Sequence, residues 1–535
     1  MKKSIRYRLL IAFTYSITLV GGMYLGYKFL KEQGFNIQRN GKFADNNAQK
    51  VEDIIHIINK NYVDEVNADS LHHLPIDSLL HQLDPHSMYL PASEAYEFAE
   101  DLEGNFEGIG VEYYILNDTL LVTGVIKDGP AFMAGLKQGD KIIKIDSTVV
   151  SGKSLPRSEM MGKIKGKSGT PVQLTIMHPD APLPTVYTIK RGKVEVSSID
   201  AAYMLNTETA YIRISKFGAS TDQDFINLIR NLKTKGMKKL VLDLRDNGGG
   251  YVTAATGLAN QFFPENKLIV YTEGKHEPRT DYFTTGGGEF EQGKLAVIIN
   301  ENSASASEIF AGAIQDLDRG VIVGRRSFGK GLVQEQFAFE DGSALNLTIA
   351  RYYTPLGRSI QKSYKRGYAA YQHELEDRYA DGELTAKKTI RKDSVQRAAA
   401  YVTSGGKRVY GGGGIQPDVY VKLDTTGYNK FYANLAHKKV LVDFVFDVLA
   451  NRYSAAYIGQ NLATFTINDT DFKDFLKYIQ TKKITINAKQ LAESKPLIYN
   501  DLKVMLCKYH LGDVGYYKAH NLNDNMVKQA LVSLQ

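Results

Sequence analysis

The chain has 535 residues, too long for a single core when domains typically run to roughly 100–200 residues. Apolar residues at 43% and charged residues at 23% exclude a largely disordered chain. A single cysteine, Cys507, excludes an intramolecular disulfide framework and a thiolate-rich zinc site. The formal charge of +7 raises nucleic acid or an anionic membrane as partners, and its distribution decides between them. Residues 1–40 carry seven basic side chains against Glu32 alone, a net of +6 that leaves +1 for the remaining 495 residues. The bulk of the protein is nearly neutral, so net charge supports no nucleic-acid partner.

In chain order, the basic residues Lys2, Lys3, Arg6 and Arg8 (segment 1–8) precede Leu9 to Tyr27, nineteen residues without a charge. A helix rising ~1.5 Å per residue covers ~28 Å over that stretch, close to the apolar thickness of a bilayer. The flanking charges predict a cytoplasmic N-terminus and an exported remainder. The stretch exceeds the ~7–15 apolar residues of a cleaved signal peptide and lacks its small-residue cleavage site. An uncleaved anchor at 9–27 is therefore the favoured reading: a single-pass protein of the inner (cytoplasmic) membrane, its bulk facing the periplasm or cell exterior.

Val51, Ile54, Ile55, Ile58 and Tyr62 then recur at helical spacing. With Pro85 interrupting Leu83 to Leu90, they define a helical pre-domain over 28–103 in which His86 reads as a structural histidine beside a turn. From 104 to 196 the texture is short β-type runs between glycines. Phe106 to Val111, Leu120 to Ile126, Gly129 to Leu136 and Gly139 to Asp146 occur in an order that resembles a PDZ domain. Such domains add a peptide as an extra strand and capture its terminal carboxylate in a backbone nest. Gly108, Ile109, Gly110 and Val111 resemble that carboxylate-binding loop.

Residues 197–424 alternate strands and helices, the pattern of an α/β core. Leu240 to Leu244 reads as a buried strand running into Arg245-Asp246-Asn247-Gly248-Gly249-Gly250 and a helix from Val252. Lys294 to Asn300 is a second strand, followed by Ser303 to Ala311, and Val321 to Gly324 is a third. Residues 362–410, rich in Tyr, Lys, Arg and Glu, read as an inserted, solvated segment. The extension 425–535 reads as helical, with Phe472, Phe475, Leu476 and Ile479 at i, i+3, i+4, i+7.

The chemistry converges on Ser305 and Lys330. A serine hydroxyl becomes a useful nucleophile when a base takes its proton, and a lysine can do so only as a neutral amine. Ser305 stands where a strand meets a helix, beside orphan helix N–H groups. The Ala306 N–H is placed to stabilise an oxyanion, and a glycine from the 248–250 loop to supply a second donor. Lys330 lies between Gly329 and Gly331, and Gln334 can hold its amine without adding a charge. Singly, each feature has a plainer reading, an N-cap or an exposed loop lysine. His276, with no evident acidic orienter, reads as a surface-loop residue, and no metal-binding spacing appears.

Taken together these residues resemble the carboxy-terminal processing (tail-specific) protease family, PDZ-containing serine peptidases with a Ser/Lys dyad. Ser303 to Glu308, Phe328 to Gly331, Asp243 to Arg245 with the Asn247-to-Gly250 loop, Tyr353 to Gln361 and Gly414 to Asp418 carry the resemblance. It covers about 45–420. It implies a multidomain α/β fold, with a PDZ domain inserted before a crotonase-like serine protease core and helical regions at both ends. It also implies Ser305 as nucleophile, Lys330 as general base, Gln334 as its orienter, and Ala306 and Gly249 as the oxyanion hole. The partners implied are protein substrates held by their C-terminal tails, with no cofactor and no metal; a homo-oligomer is left open. Two departures stand out: the roughly fifty residues before Gly414 and the extension after 425. A catalytically silent PDZ scaffold and a small-molecule acyl hydrolase are the competing functions.

Overall fold

The structure is a computed structural model that describes residues 47–66, 75–153, 155–179, 181, 183–385 and 400–535. The expected anchor at 9–27 and part of the 362–410 insertion lie outside the described residues. Among the described residues, no helix is long and apolar enough to cross a membrane.

Helix α1 (Asn47–Asn61) buries Ile54, Ile55 and Ile58 in one cluster with Leu345 and Leu347 of the following core. Helix α2 (Ile76–Leu83) stops at Asp84, whose buried carboxylate accepts the N–H groups of His86 and Ser87, each at 2.8 Å. The sequence reading holds no strand here. The structure forms one, β1 (Met88–Leu90), which pairs with Ala344 to Asn346 of the core. Three residues are too short a run for a period-2 signal, and the partner's edge supplies the hydrogen bonds. Helix α3 (Ala92–Glu103) ends on Gly104 in the left-handed conformation that glycine supplies freely (φ 70°).

A two-stranded ribbon then carries the next module, β2 (Asn105–Gly108) pairing with β9 (Gly192–Glu195). Between them, β3 (Val111–Leu116), β4 (Thr119–Val125), β5 (Lys141–Ile145), β7 (Pro171–Met177) and β8 (Thr185–Lys190) form a sheet in that order, with β6 (Thr148–Val149) on β5. Strand β3 is an edge. Helices α4 (Pro130–Met133) and α5 (Arg157–Ile164) complete the module.

The core sheet runs β10 (Ile199–Met204), β11 (Thr209–Ile214), β12 (Lys239–Asp243), β15 (Lys294–Ile299), β16 (Val321–Gly324), β21 (Val419–Tyr420), parallel from β11 onward. Parallel strands are covered on both faces. Alternate residues divide accordingly. Leu240, Leu242, Val297 and Ile299 pack under α6 (Thr221–Thr234), α7 (Val252–Asn260) and α8 (Ala306–Asp316). Val241, Ala296, Ile298 and Val323 face the opposite cluster. A second sheet joins β1, β13 (Leu268–Glu273), β14 (Thr280–Phe283), β17 (Leu332–Ala338) and β18 (Ala344–Tyr353).

The insertion is not simply solvated. Its helices α9 (Tyr368–Gln372) and α10 (Glu374–Ala380) bury Tyr371 and Arg378, and Arg378 donates to the carbonyls of Arg326 and Ser327. Charged residues read as solvated from composition, but here Arg326 pairs with Glu374 and Glu383, and pairing lets such groups be buried.

The extension has its own apolar core, including Phe431, Phe444, Phe475 and Leu502. It touches the β3–β8 module where Tyr114 donates to Asp443 at 2.8 Å. Its long helix α11 (Ala488–Asn521) bends at Gly512 and leads into α12 (Asn525–Ser533), which covers the open face of the core sheet through Met526, Val527 and Ala530. Asp524 caps α12 by accepting from Met526 and Val527, and also accepts from Arg245 of the core at 2.5 Å. Against its burial, the His520 ring at 3.1 Å and then the Arg245 cation hold the Asp524 carboxyl well below the ordinary range.

Asp524→Ala therefore removes a cap and leaves Arg245 short of a partner. Arg245 keeps Asp243, so the loss is a cap and a charge-assisted hydrogen bond, together about 3 kcal/mol. Amide exchange over Asn525–Ser533, followed by mass spectrometry, is expected to accelerate roughly 10²-fold. Unchanged protection there would show that apolar packing alone docks the helix.

Candidate active site

Three chain segments leave the C-terminal ends of the adjacent parallel strands β12, β15 and β16, the end of an open α/β sheet where sites form. The registers Asp243↔Ile298 and Ile299↔Gly324 keep those ends level. The first segment is the Asn247-to-Gly250 loop, the second leads to Ser305, and the third leads to Lys330.

Ser305 is the N-cap of α8, with φ 55° and ψ −115°. A non-glycine residue rarely takes that conformation, which costs on the order of 1–3 kcal/mol and needs surrounding structure to hold it. Two contacts do so. The Ser305 N–H donates to the Glu308 carboxylate at 2.9 Å, and Gly249 packs directly against it. A Cβ at Gly249 would lie 2.7 Å from Ser305 Cβ and 3.0 Å from Ala306 N, so only glycine permits this approach. Ala306 is the first residue of α8, so its N–H has no acceptor within the helix. The Gly249 N–H already donates to Asn247 Oδ1 at 2.9 Å. As a second oxyanion donor, Gly249 would have to share or exchange that bond.

Lys330 Nζ donates to Gln334 Oε1 at 2.7 Å, and Gln334 Nε2 donates to the His86 carbonyl at 2.5 Å. Burial lowers the Lys330 pKa, partly offset by Asp84 and Glu308. Burial also takes the His86 ring down to about 3, with Lys330 and Lys362 adding to the effect. The ring's Nε2 meets Tyr371 OH at 2.6 Å, so this histidine serves the site through its backbone. Ser305, Lys330, Gln334 and Gly249 line one cleft of about 720 Å³.

The sequence reading assigned no role to Glu308, which is fully buried. It accepts from Ser305 N (2.9 Å), Ser327 Oγ (2.5 Å), Gly329 N (2.8 Å) and Lys330 N (2.8 Å). Burial pushes its pKa up to about 7 against the pull of these donors. Its signal was the Ser-x-x-Glu spacing of a capping box. Tyr352, whose hydroxyl donates to the carbonyls of Lys330 (2.7 Å) and Ser305 (3.1 Å), gave no signal, because both acceptors are backbone atoms. His276 is exposed.

Gly108 to Val111 lie on the wall of a second groove, about 700 Å³, between edge strand β3 and helix α5. The carbonyls of Ile109 and Gly110 accept from Ala131 (2.7 Å) and Ile126 (3.0 Å). Across a trans peptide the next N–H points the opposite way, so the N–H groups of Gly110 and Val111 face away from those partners. Asp101, Val196 and Lys216 line both the groove and the cleft.

The sequence profile of peptidase family S41 matches residues 208–367, and that of the PDZ domain matches 108–186. A probable CtpA-like serine protease of Staphylococcus aureus (strain MRSA252) is 33% identical over 354 residues, 65% of this chain and 68% of that protein. The chain belongs to this family. It is a serine-type peptidase with a PDZ domain ahead of its protease domain. A probable CtpA-like serine protease of Staphylococcus saprophyticus is 33% identical over 331 residues, 61% of this chain and 66% of that protein. Among solved structures, the photosystem II D1 C-terminal processing protease is 27% identical, with TM-score 0.36, covering 59% of this chain and 91% of that one. Residues 431–512 match a family of unknown function.

Lys330 can accept a proton only when neutral, so peptidase activity should rise with pH through its pKa. Because burial lowers that pKa, the midpoint should fall below the ordinary value of 10.5. A pH–rate profile of kcat/KM on a peptide substrate checks this. A rate that falls steadily from neutral to alkaline pH, with the fold intact, would exclude a lysine base.

Proposed function

We propose that the chain is a membrane-tethered endopeptidase that cuts exported or envelope proteins near their C-termini through an acyl-enzyme. Ser305 Oγ attacks the scissile carbonyl while its proton passes to the neutral amine of Lys330. Lys330 returns that proton to the leaving amine as the C–N bond breaks. The same amine then takes a proton from water, whose oxygen attacks the ester and releases the acid product, and Ser305 recovers its proton. Gln334 acts as a positioning residue, holding the amine with a neutral acceptor so that no added charge raises its pKa. The Ala306 N–H meets the developing oxyanion at the positive end of α8.

The observation that carries this reading is the pairing of Lys330 with Gln334 in the cleft that Ser305 also lines. The groove along β3 supports capture of a substrate tail. An edge strand offers unpaired backbone groups to an added strand, and the Gly110 and Val111 N–H groups suit its terminal carboxylate. Ile109, Val111, Met161 and Ile164 give that end of the groove an apolar lining suited to an apolar last residue.

The test is incubation of the chain from residue 30 onward with a protein bearing an apolar C-terminal tail, with fragments read by mass spectrometry. Ser305→Ala is expected to abolish cleavage, and Lys330→Ala to lower it by roughly 10²–10⁴-fold. Cleavage by both variants at the wild-type rate would remove the dyad from the mechanism. Tail capture without cleavage by wild type would favour the silent scaffold.

The tether rests on the charge-free stretch from Leu9 to Tyr27 between basic residues. The full chain should remain with membranes after alkaline extraction, whereas the chain from residue 30 is released. Release of both would refute an uncleaved anchor.

A further inference from the structure

The loop end of the β3–α5 groove already holds a carboxylate belonging to the chain itself. Glu100, on α3, lines the groove with Lys165 and the Gly108-to-Val111 loop. Its Oε2 accepts from Lys165 Nζ at 3.1 Å, and its Oε1 accepts from the Glu107 N–H at 2.9 Å. Lys165 directly follows α5, one wall of the groove, and Glu107 directly precedes the loop that opens the other wall. The Glu100 side chain is 10% exposed and that of Lys165 33%. An ammonium and a backbone donor, together at the loop end of an edge-strand groove, are what the free end of a peptide needs. Both are taken by Glu100.

The geometry points to Lys165 as the specificity residue for the free carboxylate of a substrate tail, with Glu100 as its built-in competitor. This rests on the reading of the groove as the tail site. A tail enters by exchanging its carboxylate for that of Glu100. Lys165 stays paired before and after the exchange, and the group that must find water instead is the displaced Glu100 carboxylate. A peptide ending in an amide, or the middle of a chain, brings no charge to replace Glu100 and would strand Lys165. Selection for true chain ends follows, because the competitor must be displaced by a like group. The apparent affinity is lowered by the fraction of molecules in which Lys165 is free, so wild type holds a tail more weakly than the groove alone would. The competitor's position also matters for the cleft. Helix α3 presents Glu97, Glu100 and Asp101 to the groove and Phe98, Ala99 and Leu102 to the cleft of Ser305. A tail that releases Glu100 thereby loosens one tie of the wall the two spaces share.

The experiment measures binding of a fluorescent peptide with an apolar last residue, as free acid and as C-terminal amide, to the chain carrying Ser305→Ala to prevent turnover. Glu100→Gln keeps an acceptor for the Glu107 N–H and removes the charge. It is expected to tighten the free acid by about tenfold, within the usual range of coupling between sites, and to leave the amide unchanged. Lys165→Met is expected to weaken the free acid and to cut the preference for it to what the Gly110 and Val111 N–H groups sustain alone. In the Lys165→Met background, Glu100→Gln should no longer tighten binding. Free-acid affinity that is unchanged or weaker in Glu100→Gln, or a free-acid preference as large in Lys165→Met as in wild type, overturns the exchange. Gly162 lines the groove and a Cβ there would meet nothing within 4 Å, so Gly162→Trp sets a bulky side chain in the groove. Loss of binding in Gly162→Trp, with the Glu100 and Lys165 variants behaving as wild type, defeats the exchange alone. Intact binding in Gly162→Trp defeats the tail site itself, and the exchange with it.

Discussion

The buried carboxylate of Glu308 is the tie on which the site's geometry depends. Two of its donors are the backbone N–H groups of Ser305 and Lys330, residues 25 positions apart in the chain. The others, Ser327 Oγ and the Gly329 N–H, belong to the loop leading to Lys330. One side chain thus fixes the turn that exposes the serine and the loop that delivers the lysine, in a common frame. A carboxylate with no solvent contact needs every lone pair used, and these four donors meet that need. Any displacement of either segment would leave Glu308 short of a partner in a dry site. The left-handed backbone at Ser305 is held against its own preference by the same bond.

Desolvation lowers the Lys330 pKa against the buried carboxylates of Asp84 and then Glu308, which favour the ammonium form. Gln334 contributes by what it lacks, for an acid at that position would hold the proton on the amine. The orientation of Gln334 comes in turn from a backbone carbonyl, that of His86, which Asp84 positions by capping the turn. The pre-domain is therefore part of the site although none of its side chains touches the Ser305 hydroxyl by any bond described above. The insertion acts similarly, through Arg378 on the Arg326 and Ser327 carbonyls.

What could be read in the sequence follows from which chemistry sits in side chains. Strands β12, β15 and β16 are short apolar runs ended by Asp, Asn and Gly, and the residues after them are reactive types at separations set by the chain. Ser305, Lys330 and Gln334 could be picked out on those grounds. Strand β1 could not, because its existence depends on the edge offered by β18. Nor could the role of His86, whose contribution is a carbonyl that every residue owns, or that of Tyr352, which bonds two carbonyls. Gly249 was legible as a glycine in a loop. That its need for glycine comes from contact with Ser305, and that its N–H is already spent on Asn247, are facts of three-dimensional approach. Composition misled at 362–410, where charge reads as solvent exposure although Lys362 and Arg378 are buried in ion pairs.

Helix α3 shows how the same limit bears on function. Its sequence, Ala92 to Glu103, has a plain amphipathic character and no reactive motif, yet it separates the groove from the cleft. Lys165 reaches it from one module through Glu100, and Lys216 from the other through Asp101 at 2.5 Å. Each ion pair is local, and an exposed one contributes little to stability. Their placement gives them a different consequence. Asp101 and Lys216 line both spaces, so the second pair stands where the groove and the cleft share a wall. A charged chain end that exchanges with Glu100 also enters the field of Lys216 and Asp101. The helix that closes the groove is then positioned to respond to the tail before the cleft does.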